Sequence, residues 1–155
     1  MRERRDLPEA LSIDSGVVLA YMLGEDLGKV ARDEILSPER RAYCSRVAAS
    51  ELFYILCRRR GERFARGAAE ALLKSGRPSV VSSDEVDMEA GAYKCARSIS
   101  LADCYVLAVA KVFKAAVVFA KREDDLDREA GRKPFDVELL FLEDFVKESK
   151  GRRDG

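Results

Sequence analysis

The 155-residue chain contains no histidine and no tryptophan. Without imidazole there is no Ser-His-Asp or Cys-His activation, no paired-histidine acid–base cleavage and no His-containing zinc motif. What remains is chemistry run by carboxylates, hydroxyls, thiols, amines or a metal held by oxygen. Net charge is also missing, because 28 Lys plus Arg balance 28 Asp plus Glu. Bulk attraction therefore cannot be the means of holding a polyanion, and any nucleic-acid contact must come from a local patch. Cys44, Cys57, Cys95 and Cys104 show no C-x-x-C spacing. Each lies in an apolar stretch, which predicts buried free thiols. No apolar run reaches the length of a membrane span, since Lys111 and Lys114 break the longest one. The segment Met1 to Asp6 carries charges of both signs and leads into no apolar stretch. The expectation is a soluble, cytoplasmic protein.

What is present fits a globular fold: 47% of residues are hydrophobic and 36% charged. The length suits one domain over 1–155, with a core over about 11–145 and a disordered tail over 149–155. Apolar periodicity alternates between strand and helix. Strands are expected at Leu11–Ile13, Arg41–Ser45, Ser79–Ser82, Ala116–Ala120 and Val137–Leu142. Helices are expected at Ser15–Leu23, Asp26–Leu36, Val47–Arg60, Glu62–Lys74, Asp84–Arg97, Leu101–Phe113 and Glu123–Ala130, with a turn at Gly131–Pro134. Gly24, Gly61 and Gly76 punctuate these helices. The alternation predicts an α/β/α sandwich with a mostly parallel sheet, whose ligand site lies beyond the carboxyl ends of the strands.

Acids occur at those positions. Asp14 ends the first strand, where it serves equally as a helix cap before Ser15-Gly16. Glu51 has Val47, Ala48, Tyr54 and Ile55 as its helical neighbours, so its carboxylate faces an apolar stripe and needs an ion-pair partner, a proton or a metal. Asp103 has Ile99, Ser100, Val106 and Leu107 around it, and Ser100-Leu101-Ala102-Asp103 reads as a capping box. Glu123, Asp124, Asp125 and Asp127 follow the strand Val117–Ala120. Either Glu123 or Asp125 stands nearest its end. Each acid alone has an ordinary role, but several carboxylates gathered at one edge repel one another unless a cation joins them. Mg2+ or Mn2+ takes oxygen ligands of this kind and commonly shares them with a phosphate, which points to phosphoryl chemistry. Arg58, Arg59, Arg60, Arg63 and Arg66 form one local basic cluster, and Lys150, Arg152 and Arg153 a second. Such runs also occur as plain solvated faces.

The segment Ile13-Asp14-Ser15-Gly16-Val17-Val18-Leu19-Ala20-Tyr21 resembles the opening acidic motif of PIN domains. Ala49-Ser50-Glu51-Leu52 resembles their helix-borne Glu motif, and Ser98 to Ala108 their Ser-x-x-Asp helix start. The resemblance spans roughly residues 11 to 145 and closest to hand are the VapC-like toxin ribonucleases of toxin–antitoxin pairs. The fourth motif departs: Lys121-Arg122-Glu123-Asp124-Asp125-Leu126 has Glu123 where an Asp is usual and lacks its Thr. The resemblance implies a metal-dependent endoribonuclease. Asp14, Glu51 and Asp103 would hold a first Mg2+ or Mn2+, with Glu123 or Asp125 placing a second metal or a water. Ser15 and Ser100 would hydrogen-bond the ligating acids, and Arg58, Arg59 and Arg60 would steer the RNA backbone. It also implies a homodimer and an antitoxin partner, contacted through the apolar faces of the helices from Val47 and Glu62 unless these only pack the core.

Three other readings compete. A catalytically degenerate PIN module would bind RNA or protein without cutting, as the altered fourth motif allows. A haloacid-dehalogenase phosphatase would need an Asp two residues after Asp14, where Gly16 stands. A response-regulator receiver would need an acid pair at the first strand, which is lacking.

Overall fold

The computed structural model describes residues 7–145. Five strands, β1 Ala10–Ile13, β2 Arg41–Ser45, β3 Ser79–Val81, β4 Ala116–Phe119 and β5 Leu139–Phe141, form one sheet in the order β3-β2-β1-β4-β5. All four pairings are parallel. The two central strands β1 and β4 read ALSI and AVVF and are buried throughout. Near-continuous apolar runs of this kind belong to strands covered on both faces.

Helices supply the covering. One core gathers Leu11 and Ile13 with residues from α1 (Ser15–Met22), α3 (Arg46–Arg60) and α4 (Glu62–Ser75). The opposite core gathers Val117 and Phe119 with residues from α5 (Asp84–Ala96), α6 (Leu101–Phe113) and α7 (Asp124–Arg132). The expected three-layer α/β/α sandwich is therefore the observed one. Ser12 is fully buried in β1, and its hydroxyl donates to the Val106 carbonyl at 2.8 Å. That bond removes the cost of burying the hydroxyl and ties β1 to the first turns of α6.

Serine caps set three helix starts: Ser45, Ser83 and Ser100 accept from the backbone N–H of Ala48, Val86 and Asp103. Gly61 and Gly76 follow α3 and α4 at φ of 88° and 68°, where a side chain would be strained.

Several expected boundaries shift. The helix expected over Asp26–Leu36 is α for Asp26–Val30 only (α2) and widens to a π-turn over Ala31–Ile35, where the Leu36 N–H reaches the Ala31 carbonyl at 2.8 Å. Gly28 lies against α1, with room for no Cβ because the Ala20 carbonyl oxygen would stand 2.2 Å away. The wider turn seats Ala31 and Ile35 in the core behind this close approach. The last strand is Leu139–Phe141 rather than Val137–Leu142, because residues 142–145 turn into a helical segment. The helix expected to stop at Ala130 runs to Arg132, carrying Gly131 inside it. All four thiols are free, but Cys95 is exposed and Cys57 half-buried, so only Cys44 and Cys104 meet the burial expectation. Cys95 lies near the carboxyl end of α5, on its outer side, while Tyr93 and Arg97 on either side of it are buried. The apolar faces of α3 and α4 do pack the core, through Leu52, Leu56, Ala65 and Leu72. Among the described residues no helix is long and apolar enough to cross a membrane. The expected tail over 149–155 and the cluster Lys150, Arg152 and Arg153 lie outside the described residues.

Candidate metal centre

The chain runs outward from β1 through β2 to β3, then crosses back to lay β4 and β5 on the other side. The switch point lies at the carboxyl ends of β1 and β4, where open α/β sheets place their ligands. Asp14 stands there. Its N–H donates to the Val118 carbonyl of β4 at 3.0 Å, and its carboxylate accepts from the Gly16 N–H at 3.2 Å. Gly16 is glycine for want of space. A Cβ at this position would lie 3.0 Å from Oδ2 of Asp14 and 3.3 Å from Cβ of Ala120.

Two helices aim further carboxylates at the same corner. The Ser45 cap starts α3 at the end of β2, and Glu51 follows within its second turn, half-buried. Oε1 of Glu51 accepts a 2.8 Å hydrogen bond from the Ser15 hydroxyl, so the residue after Asp14 holds the acid of the neighbouring helix. Glu51 sits at the rim of the packed face, since Ala48 is buried while Tyr54 is 44% exposed. Ser100 caps α6 and thereby presents Asp103, whose side of the helix turns inward until only 8% of the residue is exposed. Glu123 immediately precedes α7 and makes no capping bond of its own.

The electrostatics place these acids within range of one another's charge. Burial pushes the Asp14 carboxyl up from 3.8 to about 7, helped by the charges of Asp103, Glu51 and Glu123 and opposed by the Gly16 N–H. Burial likewise raises Asp103 to about 6, helped by Glu123, Glu51 and Asp125, while the Ser100 side chain pulls the other way. Glu123 is raised by burial and by Asp125 and Glu51. Every charged neighbour acting on these three groups is negative. Among the described residues the ion pairs include none on Asp14, Glu51, Asp103 or Glu123. Glu123 acts on both Asp14 and Asp103, whereas Asp125 pairs with Arg128 at 3.1 Å.

The donor set, all carboxylate oxygen with hydroxyls behind it and no neutralising cation among the described residues, fits a hard divalent ion. The fit is one of charge and chemistry. No three Asp, Glu or Cys side chains among the described residues stand close enough together to make a finished ligand cage.

Arg58, Arg59 and Arg60 do not join this cluster. They lie at the far end of α3, about 10 to 14 Å along the helix axis from Glu51. Arg58 and Arg60 stack over the rings of Tyr54 and Phe64, and Arg59 stands 4.0 Å from Glu25.

A second polar system beside the acids has no signal in the local sequence. Arg97 looks like the last residue of a helix, yet it is buried and pairs with buried Glu129 at 3.6 Å. Its guanidinium also donates to the carbonyls of Glu129, Lys133 and Pro134 and lies 4.0 Å over the Phe135 ring. Glu129 in turn accepts from the Ser98 N–H at 3.0 Å. The pair thus fixes the loop before α6 against α7, which is the ground on which Asp103 and Glu123 stand. Only the i, i+3 spacing of Glu129 and Arg132 was open to sequence reasoning.

In a parallel α/β sandwich, carboxylates without ion-pair partners among the described residues thus stand at the switch point, where ligands bind. The PIN domain family model matches residues 11–131, and the chain belongs to the PIN domain family. Solved structures share the fold at low identity. A toxin–antitoxin complex from Klebsiella pneumoniae superposes with a TM-score of 0.60 at 17% identity, over 86% of this chain and 97% of that one. VapBC-1 from nontypeable Haemophilus influenzae gives 0.60 at 18%, over 86% and 98%. VapC20 of Mycobacterium tuberculosis, a toxin that cleaves the sarcin–ricin loop, gives 0.59 at 17%, over 77% and 93%. Comparison with curated protein sequences finds no significant match.

Proposed function

We propose that the chain is a single-domain endoribonuclease that hydrolyses RNA phosphodiester bonds with Mg2+ or Mn2+, acting in the cytoplasm as the toxin of a toxin–antitoxin pair. The observation that carries the reading is the mutual charge influence of Asp14, Glu51, Asp103 and Glu123, borne on four separate elements, with no ion-pair partner on any of them among the described residues. Membership of the PIN family and the likeness in fold to VapBC proteins support the same reading.

Asp14, Asp103 and Glu51 would hold the first ion, and Glu123 a second ion or a water. Asp125 is the weaker candidate because Arg128 already engages it. A divalent ion bound there lowers the pKa of water and offsets charge on the transferring phosphoryl group. The protein's own part is to hold these oxygens in place. The Ser15 hydroxyl orients Glu51, the Gly16 N–H orients Asp14, and Ser100 fixes the first turn that carries Asp103. With Asp14 raised to about 7, its carboxyl is partly protonated at neutral pH, and a bound cation would displace that proton.

By likeness to the toxin–antitoxin complexes, an antitoxin is the expected partner, and it would silence the centre. The chemistry of the site asks for a Lys or Arg from that partner, because the four acids have none as an ion-pair partner among the described residues. A homodimer is the assembly expected of such a toxin, and the cation–aromatic surface of α3 and α4, with Arg58, Arg59 and Arg60, supplies exposed side chains for such contacts or for the RNA backbone.

The test is cleavage of mixed RNA with Mg2+, with Mn2+ and with chelator, comparing the unaltered chain with Asp14→Asn and Asp103→Asn. Metal-dependent cutting lost in both variants supports the reading. Equal cutting by all three proteins would assign the activity to a contaminant.

A further inference from the structure

Beside the acidic centre runs an open groove of about 1010 Å³, floored by the loop that joins α5 to α6 and walled by α7. Lys94, Arg97, Arg128 and Arg132 line it against two carboxylates, Asp125 and Glu129. In a chain of zero net charge, this local excess of two cations is what the acids at the switch point lack. Ser100, the cap of Asp103, lines the groove as well, so the groove reaches the start of the helix that carries Asp103.

The cations divide by what they already do. Arg97 is buried and spent on Glu129 and on carbonyls. Arg132 is held by Glu129 and by the Ala96 carbonyl. Lys94 gives a 2.7 Å bond to the Ile99 carbonyl, which leaves its ammonium with donors to spare. Arg128 pairs with Asp125 through one nitrogen, in solvent, with side chains 73% and 62% exposed. An exposed pair of this kind is weak and readily exchanged for a phosphate.

We infer that this groove is the phosphate track of the substrate. Lys94 and Arg128 hold the phosphodiesters of nucleotides on one side of the bond placed at Asp14, Asp103 and Glu123. The inference rests on the nuclease reading and adds the direction from which a single RNA strand enters. It also relieves Arg58, Arg59 and Arg60 of that duty, since they stand well down α3 from the acids. Moving Arg128 from Asp125 to a phosphate would free Asp125 next to Glu123, so strand entry and completion of the acidic set are linked.

The test is fluorescence anisotropy of a labelled single-stranded RNA, in chelator so that nothing is cut, across a series of salt concentrations. The proteins are the unaltered chain, Lys94→Ala, Arg128→Ala, Arg128→Lys, and Arg77→Ala as a charge-matched control outside the groove. Lys94→Ala and Arg128→Ala are each expected to weaken binding about three- to tenfold at low salt and to lower the salt slope by about 0.7. Arg128→Lys recovers most of the loss, and Arg77→Ala changes little. Groove variants that bind like the unaltered chain, or a loss with Arg77→Ala of the same size, overturn the inference while leaving metal-dependent cutting intact. If the unaltered chain binds no RNA and cuts none, the nuclease reading falls and takes this inference with it.

Discussion

The hydroxyl of Ser15 donates to Oε1 of Glu51 at 2.8 Å, joining residues 36 positions apart in the chain. Asp14 and Glu51 thereby share one scaffold: the turn that ends β1 carries the first and steadies the second. Ser15→Ala is expected to leave the fold intact, because half-buried Glu51 can turn to water. It should weaken Mn2+ binding about tenfold or more, the usual effect of removing a hydrogen bond behind a ligand. Isothermal titration with Mn2+ reads this directly.

Gly16 offers a steric test of the same corner. Gly16→Ala places a methyl about 3.0 Å from Oδ2 of Asp14, and the carboxylate must give way. We expect RNA cleavage to fall at least about tenfold, because misplacing a catalytic group by about 1 Å commonly has a larger effect still. Circular dichroism should show unchanged helix content, since alanine favours α1.

The pH dependence has a definite sign. Asp14 and Asp103 are raised to about 7 and about 6, both above the ordinary 3.8. Between those values the folded chain binds more protons than the unfolded one. The stability linked to these two groups is therefore complete below about pH 4 and is lost as pH rises through 6 and 7. Asp14→Asn removes the larger share, so in chelator this variant should melt higher than the unaltered chain at pH 8 and near it at pH 4. Added Mg2+ should raise the melting temperature of the unaltered chain and leave the variant unmoved. Thermal melts across this range check both.

Arg97 is the structural counterpart to the acids. Arg97→Ala strips a buried carboxylate of one partner and releases the carbonyls of Lys133 and Pro134. The expected loss in Tm is roughly 10 °C. Arg132→Ala, which removes an exposed arm of the same system, should cost much less. Melting both variants side by side distinguishes an ion pair that holds the loop before α6 from one that merely decorates it.

What could be read beforehand follows physical range. β1 and β4 are unbroken apolar runs, and Ser100 and Gly61 are local punctuation, so their strands and helix ends were legible. Asp14 stood out by its place at a strand end, and Glu51 and Asp103 by their apolar helical neighbours; the raised carboxyls of Asp14 and Asp103 fit that grouping. The choice between Glu123 and Asp125 was not legible, since both begin one helix and only the fold shows that Arg128 takes Asp125. Arg97 and Glu129 lie 32 residues apart, and nothing near either one announces burial. The π-turn at Ala31–Ile35 follows the close approach of Gly28 to Ala20, a contact between two helices that periodicity within one helix does not contain. The exposure of Cys95 was hidden for a like reason: an apolar-looking helix end still has an outer side.

The account stands or falls on whether one divalent cation unites acids drawn from separate elements. Mn2+ titration followed by electron paramagnetic resonance, on the unaltered chain and on Asp103→Asn, tests this most directly. The account predicts saturable binding by the unaltered chain, strengthening as pH rises from 5 to 8, and a loss of about tenfold or more in affinity in the variant. Equal Mn2+ binding by both proteins, or none by either, would contradict it.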